Sequence, residues 1–157
     1  MRVDPGFEEL YRANHSVVFR AAYLLSGRRE IAEDATQEAF ARALERWSRL
    51  GGQPWVAGWV MSTALNEVRR SWRRRGAASP TDVGEGLPGG EDAIDLWRGI
   101  RRLPRRQQEA VVLHYVADRP LGEVAAVMGC QVGTVKAHLS RARKVLARAM
   151  EVTRDEI

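Results

Sequence analysis

Residues 76–90 read GAASPTDVGEGLPGG, and this stretch divides the chain. Its glycines, prolines and small polar side chains cannot bury enough apolar surface to offset the entropy of ordering a backbone. It is therefore expected to be a flexible tether. A Gly-rich coil of that length has a root-mean-square span on the order of 20 Å, so bodies on either side can dock on separated sites. The 157 residues divide into a body at 1–75, a linker at 76–90 and a second body at 91–157. Hydrophobic residues make up 45% of the chain, which is enough for a packed core on each side and excludes wholesale disorder.

Both bodies read as helical. Asp4 followed by Pro5 is a helix-start signal, a capping carboxylate ahead of a proline at the first helical position. Phe7, Leu10, Tyr11, Val17, Val18, Ala21, Leu24 and Leu25 then recur at helical spacing up to Gly27, a C-terminal stop. A second helix is expected from about 30 to 47, with Ala32, Ala39, Phe40, Ala43 and Trp47 on its apolar side. Its polar side carries Asp34, Gln37, Glu38 and Glu45. Leu50-Gly51-Gly52-Gln53-Pro54 breaks the pattern before a third helix reaching about Arg75. Beyond the tether, helices are expected at 92–102, from Pro104 to about 117, at 121–128 and at 132–150, with Gly129-Cys130-Gln131 as a tight turn. No β-alternation occurs, so the fold class is all-α: two small helical domains, the C-terminal one a helix-turn-helix.

Two helix faces carry more than packing. At roughly 100° per residue, Val60, Met61, Ala64, Leu65, Val68 and Trp72 gather on one side of the third helix. Trp59, Ser62, Thr63, Asn66, Arg69, Arg70 and Arg73 fall on the other. Guanidinium forks pair with phosphates and an aromatic ring offers an unpaired base a stacking surface. Taken alone, the same pattern equally describes a surface helix with solvated arginines and an indole that completes the core. On the last helix Val132, Val135, Leu139, Ala142, Leu146 and Ala149 share one face. Gly133, Lys136, Ala137, Ser140, Arg141, Lys144 and Arg148 lie opposite. A short turn, small residues at the helix start and flanking cations have the form of a major-groove reader; the competing reading is a basic helix closing an ordinary bundle. Arg143, at the edge of the apolar face, is compatible with a structural or a phosphate-directed role.

The net charge of +5 and a pI near 10.1 favour a polyanionic partner. A single cysteine, Cys130, excludes an internal disulfide and reads as a small buried hydrophobe. His15, His114 and His138 are scattered and form no metal-ligand pattern; no metal or other cofactor is expected. No nucleophile–base set, carboxylate pair or phosphate-binding glycine loop emerges, so the chain is not expected to be an enzyme. The N-terminus turns polar too soon for a signal peptide, and no apolar run is long enough for a membrane span. A cytoplasmic, soluble protein without membrane insertion is expected.

The order of the motifs EDATQEAF at 33–40, Trp59 to Asn66 with the basic run to Arg75, LPRRQ at 103–107, LGEVA at 121–125 and GTVKAHLSRAR at 133–143 resembles a known family. It is similar to the extracytoplasmic-function (ECF) sigma factors of bacterial RNA polymerase, in the sigma-70 superfamily, over nearly the whole chain. The resemblance implies that Asp34, Gln37, Glu38 and Phe40 dock on the clamp helices of the polymerase largest subunit, with the C-terminal body meeting the flap of the second subunit. It implies that the loop from Leu50 through Gln53 to Trp55 captures a flipped −10 base and that Asn66 lines the pocket. Trp59, Ser62 and Thr63 then belong to the −10 surface, and Arg69, Arg70 and Arg73 hold phosphates of the opened strand. Thr134, Lys136, Ala137, His138, Ser140, Arg141 and Lys144 read the −35 duplex.

Three positions depart from that pattern. Gln131 replaces a serine cap, a loss of about 1 kcal/mol. His138 replaces a commoner arginine, and Leu50 is not aromatic. No additional domain is expected after Ile157, so regulation falls to another protein, such as an anti-sigma factor, or to synthesis. The rival reading is a stand-alone dimeric helix-turn-helix regulator, which leaves the Trp59 face and the acidic stripe without a role. An enzyme acting on nucleic acid lacks the carboxylates or metal site it needs.

Overall fold

The computed structural model describes residues 2–75 and 90–155. Contacts divide the chain into two compact units, 1–77 and 78–157. The tether expected at 76–90 lies outside the described residues except for Gly90, which opens a helix. All regular structure among the described residues is helical.

In the first unit, α1 (Pro5–Ser26) starts as the sequence dictates. The Gly6 N–H donates to Asp4 Oδ1 at 2.8 Å, and Pro5 occupies the first turn. It ends on Gly27, whose φ of 70° closes the helix with an N–H bond to the Tyr23 carbonyl. Helix α2 (Arg29–Glu45) is shorter than expected. Arg46 breaks it, and the chain makes one separate turn, α3 (Trp47–Leu50). The break lets Trp47 meet Phe7 edge-on at 5.6 Å and buries Leu50. Along α2 the buried positions are mostly small: Ala32, Ala35, Thr36, Ala39 and Ala43. Small side chains let α2 lie close to both α1 and α4 (Val56–Arg75).

The inner face of α4 is the one the periodicity defines: Val60, Met61, Ala64, Leu65, Val68 and Trp72 are all buried. Each fully buried aliphatic side chain contributes about 2 kcal/mol of transfer free energy. Across the α2–α4 contact, Glu67 accepts from Arg42 at 3.2 Å and from Arg70 at 2.9 Å.

The second unit begins with α5 (Gly90–Arg102), two residues earlier than expected. Pro104 sits at the cap of α6 (Arg105–Val111) rather than inside it, with ψ of 145°. The helix expected to run on from there loosens into a π-helical turn at Val112–Val116, closed by the Ala117 N–H on the Val112 carbonyl. Helix α7 (Leu121–Met128) ends at Gly129, with φ of 69°, and the Cys130 N–H reaches back to the Ala125 carbonyl. Helix α8 (Val132–Asp155) buries Val135, Leu139 and Ala142 as expected, whereas Val132 and Ala149 are exposed. At its first turn the Thr134 and Val135 N–H groups donate to the Gln131 carbonyl. Two buried polar side chains, Gln108 and Glu109, take part in the bonds that stitch the unit. Gln108 Nε2 donates to the Ile100 carbonyl at 3.1 Å, and Arg106 bridges Glu109 to the Met128 carbonyl.

Candidate nucleic-acid interfaces

Four surfaces follow from this scaffold. The first is an open cavity of about 400 Å³ where α3 meets the start of α4, lined by Arg46, Arg49, Leu50, Trp55 and Trp59. Leu50, buried, is its floor; Trp55 is 52% exposed and Trp59 half-buried. The Arg46 guanidinium lies 5.9 Å from the centre of the Trp59 ring, within cation–π range. The loop between turns on two glycines. A Cβ on Gly51 would stand 2.9 Å from the Trp47 carbonyl oxygen and indole, and Gly52 has φ of +77°. The Gln53 N–H donates to the Leu50 carbonyl and the Val56 N–H to the Gln53 carbonyl, carrying the chain round to α4. Sequence reasoning places Leu50 and Trp59 here, includes Trp55 only as the end of the loop, and misses Arg46 and Arg49. The spacing of Arg46 and Arg49 across a helical turn is a signal, but the break after Glu45 that turns them toward the indoles is not.

The second surface is the outer face of α4. Asn66, Arg70 and Arg73 are exposed, with Ser62 and Arg69 half-exposed. Arg69 donates to Asn66 Oδ1 at 3.0 Å, and Arg70 is paired with Glu67. Two expectations are corrected. Thr63 is only 8% exposed and its hydroxyl donates to the Trp59 carbonyl at 2.8 Å, so it faces the helix rather than a ligand. Gln53 and Asn66 are exposed and do not line the aromatic cavity, because Asn66 lies nearly two turns further along α4 from Trp59.

The third surface is the acidic side of α2. Asp34 and Gln37 are exposed, and Glu38 is engaged by Arg42 at 2.8 Å. Phe40 is corrected: it is 4% exposed, with ring contacts to Phe7 at 6.5 Å and Tyr11 at 4.9 Å, and belongs to the core. A smaller cavity of about 220 Å³ lies between His15, Phe19, Arg29, Glu33, Thr36 and Gln37.

The fourth is the outer face of α8. Thr134, Lys136, Ser140, Arg141 and Lys144 are exposed and Ala137 half-buried. A Cβ on Gly133 would meet nothing within 4 Å, so the helix start is open to an approaching surface. His138 departs from its expected exposure. It is half-buried, and its Nδ1 is buried with no hydrogen-bond partner. Burial lowers its pKa below the ordinary 6.5, helped by the Arg106 and Arg141 cations and opposed by Glu109. Arg143 rests over the Tyr115 ring at 5.9 Å. Cys130 is a free, half-buried thiol rather than a core residue. His114 Nδ1 lies 2.9 Å from the Arg119 carbonyl, holding the turn before α7. Among the described residues, no helix is long and apolar enough to cross a membrane.

Comparison with known proteins agrees with this anatomy. Residues 10–78 match the family described as Sigma-70 region 2, and residues 93–146 match Sigma-70, region 4. The ECF RNA polymerase sigma factor SigE of Mycolicibacterium smegmatis is 32% identical over 155 residues, 90% of this chain and 60% of that protein. SigM of Mycobacterium tuberculosis, also an ECF RNA polymerase sigma factor, is 30% identical over 151 residues, 92% of this chain and 77% of its own length. In fold, the chain is similar to the sigma factor RpoE, solved with the anti-sigma factor NepR from Bartonella quintana. The TM-score is 0.80 at 23% identity, covering 93% of this chain and 97% of that one. CnrH, solved with the cytosolic domain of CnrY, gives 0.72 at 20% identity, with 93% and 88% covered. With both regions matched in order and a relative at 30% identity aligned over most of its length, the chain belongs to the ECF family of RNA polymerase sigma factors.

Proposed function

We propose that this chain is a promoter-specificity subunit that carries no covalent chemistry of its own. It docks on core polymerase through Asp34 and Gln37 against the clamp helices of the largest subunit, and its second unit meets the flap of the second subunit. The α3–α4 cavity and the outer face of α4 then trap unpaired −10 bases and hold the opened strand by Asn66, Arg69, Arg70 and Arg73. Stacking on protein offsets an unpairing cost of a few kcal/mol. Helix α8 reads the −35 duplex through Lys136, Ser140, Arg141 and Lys144, with Thr134 and Ala137 at its entry. Its place of action is the cytoplasm, and the −10 and −35 surfaces are those an anti-sigma partner would mask. RpoE and CnrH were each solved with a second protein, RpoE's being an anti-sigma factor.

One observation carries this reading: a single chain holds an open aromatic–guanidinium cavity on one unit and a helix-turn-helix on the other. A stand-alone dimeric regulator accounts only for the second. Run-off transcription with purified core enzyme on a genomic promoter library tests it. Start sites sharing −35 and −10 motifs are expected only when core and this chain are combined. Tight operator binding without polymerase, with no transcription, would replace the reading with the regulator.

A further inference from the structure

The lining of the α3–α4 cavity has a one-sided chemistry. Its polar side-chain atoms belong to Arg46, Arg49, Trp55 and Trp59, and every one of those groups is a hydrogen-bond donor. A guanidinium offers five N–H donors and no acceptor, and an indole one donor and no acceptor. The floor, Leu50, is apolar. A base that enters against these side chains must present acceptors at its edge.

The four bases differ in that respect. Guanine places two acceptors, O6 and N7, side by side at the spacing of a guanidinium fork. Adenine sets an amino donor beside N7; cytosine and guanine each carry an amino donor on the pairing edge, but only guanine can turn that group away and still present two adjacent acceptors on its other edge. Thymine has O4, flanked by a methyl group on its exposed edge. In a donor-only cavity an amino group would be left facing other donors, an unfavourable arrangement once water is displaced.

We propose that this cavity selects guanine among the unpaired bases of the −10 element, with Arg46 or Arg49 forking onto O6 and N7 while Trp55 supplies the stacking face. The proposal rests on the promoter-opening role above and adds the identity of the trapped base and two arginines that read it. The test uses holoenzyme reconstituted from core polymerase and the full chain. Promoter templates carry an unpaired −10 bubble with G, A, C, T, an abasic nucleotide or 7-deazaguanine at each bubble position in turn. At one position G is expected to bind at least about tenfold tighter than A, C or T, the discrimination typical of a bidentate base contact. At that position 7-deazaguanine, which lacks N7, is expected to lose most of the gain. Arg46→Lys and Arg49→Lys keep the charge but not the fork. At least one of them is expected to flatten the preference while still binding bubble over duplex. Bubble binding with another base preferred at every position, or with an abasic nucleotide as good as G, would overturn the guanine assignment and leave the promoter-opening role standing. Equal binding of bubble and duplex templates would overturn both.

Discussion

Arg106 grips Glu109 and the end of α7 at once: Nη1 donates to Glu109 Oε2 at 2.8 Å, and Nη2 donates to the Met128 carbonyl at 2.6 Å. Glu109 is 2% exposed, so its charge is held in the interior by this guanidinium. The pair therefore fixes α6 against the turn that aims α8. Arg106→Ala is expected to destabilise the second unit by about 1–3 kcal/mol, since a half-exposed guanidinium is withdrawn from a buried carboxylate and a backbone carbonyl. Glu109→Gln in the same chain should restore part of that loss, because no buried charge remains. Urea unfolding of the two single variants and the double variant gives the coupling directly.

His138 makes stability depend on pH in a definite direction. Its folded pKa lies below 6.5 because burial and the cations of Arg106 and Arg141 disfavour the imidazolium. Between 6.5 and the folded value the unfolded chain binds a proton that the folded chain does not. Its contribution is therefore complete above 6.5 and is lost as pH falls toward the folded value. The urea midpoint should be lower at about pH 5.5 than at about pH 7.5, and His138→Gln should shrink that difference. An unchanged difference would place the titration elsewhere.

The loop that shapes the aromatic cavity depends on two glycines for different reasons. Gly52→Ala forces a side chain into the left-handed region and should cost about 1 kcal/mol. Gly51→Ala presses a Cβ onto a backbone oxygen that cannot step aside, so roughly 1–3 kcal/mol is expected. Gly122→Ala, where a Cβ meets nothing within 4 Å, should be neutral or stabilising. Thermal unfolding of the full chain ranks the three.

On α2 the exposed and buried members of one motif should separate cleanly. Replacing Asp34 and Gln37 together by Ala is expected to leave the melting temperature unchanged and weaken core-polymerase binding by at least about tenfold, or 1.4 kcal/mol. Phe40→Ala should instead destabilise the first unit by about 3–5 kcal/mol, since its ring fills the space between Phe7 and Tyr11. Melting curves and a core-binding titration on the same samples distinguish the two.

The outer face of α8 supplies a fourth contrast. Arg141→Ala should weaken transcription from promoters that depend on the −35 element and leave folding unaffected, because its side chain is exposed. His138→Gln, at a half-buried position, should show its effect in the pH dependence above before it shows in promoter choice. Transcription profiling of the two variants checks this.

Periodicity, caps and turn chemistry were enough to place the helices, apart from the break at Arg46 and the π-helical turn at Val112–Val116. Asp4, Pro5 and Gly27 bound α1, Gly129 ends α7, and the inner face of α4 follows from its apolar spacing alone, because these are local properties of backbone and side chain. The outward cations of α8 were equally legible. What needed the tertiary structure was every feature set by contact between elements. Packing against Phe7 favours the break at Arg46, which turns Arg46 and Arg49 toward two indoles and makes a cavity no single helix contains. Phe40 and Thr63 share motifs with exposed neighbours, yet one is claimed by rings from α1 and the other by its own helix backbone. His138 lies at the edge of the apolar face of α8, and the packing of other helices against that face takes its ring partly out of water. Spacing along a chain fixes which side chains share a face; which of those faces stay wet is decided by what packs against them.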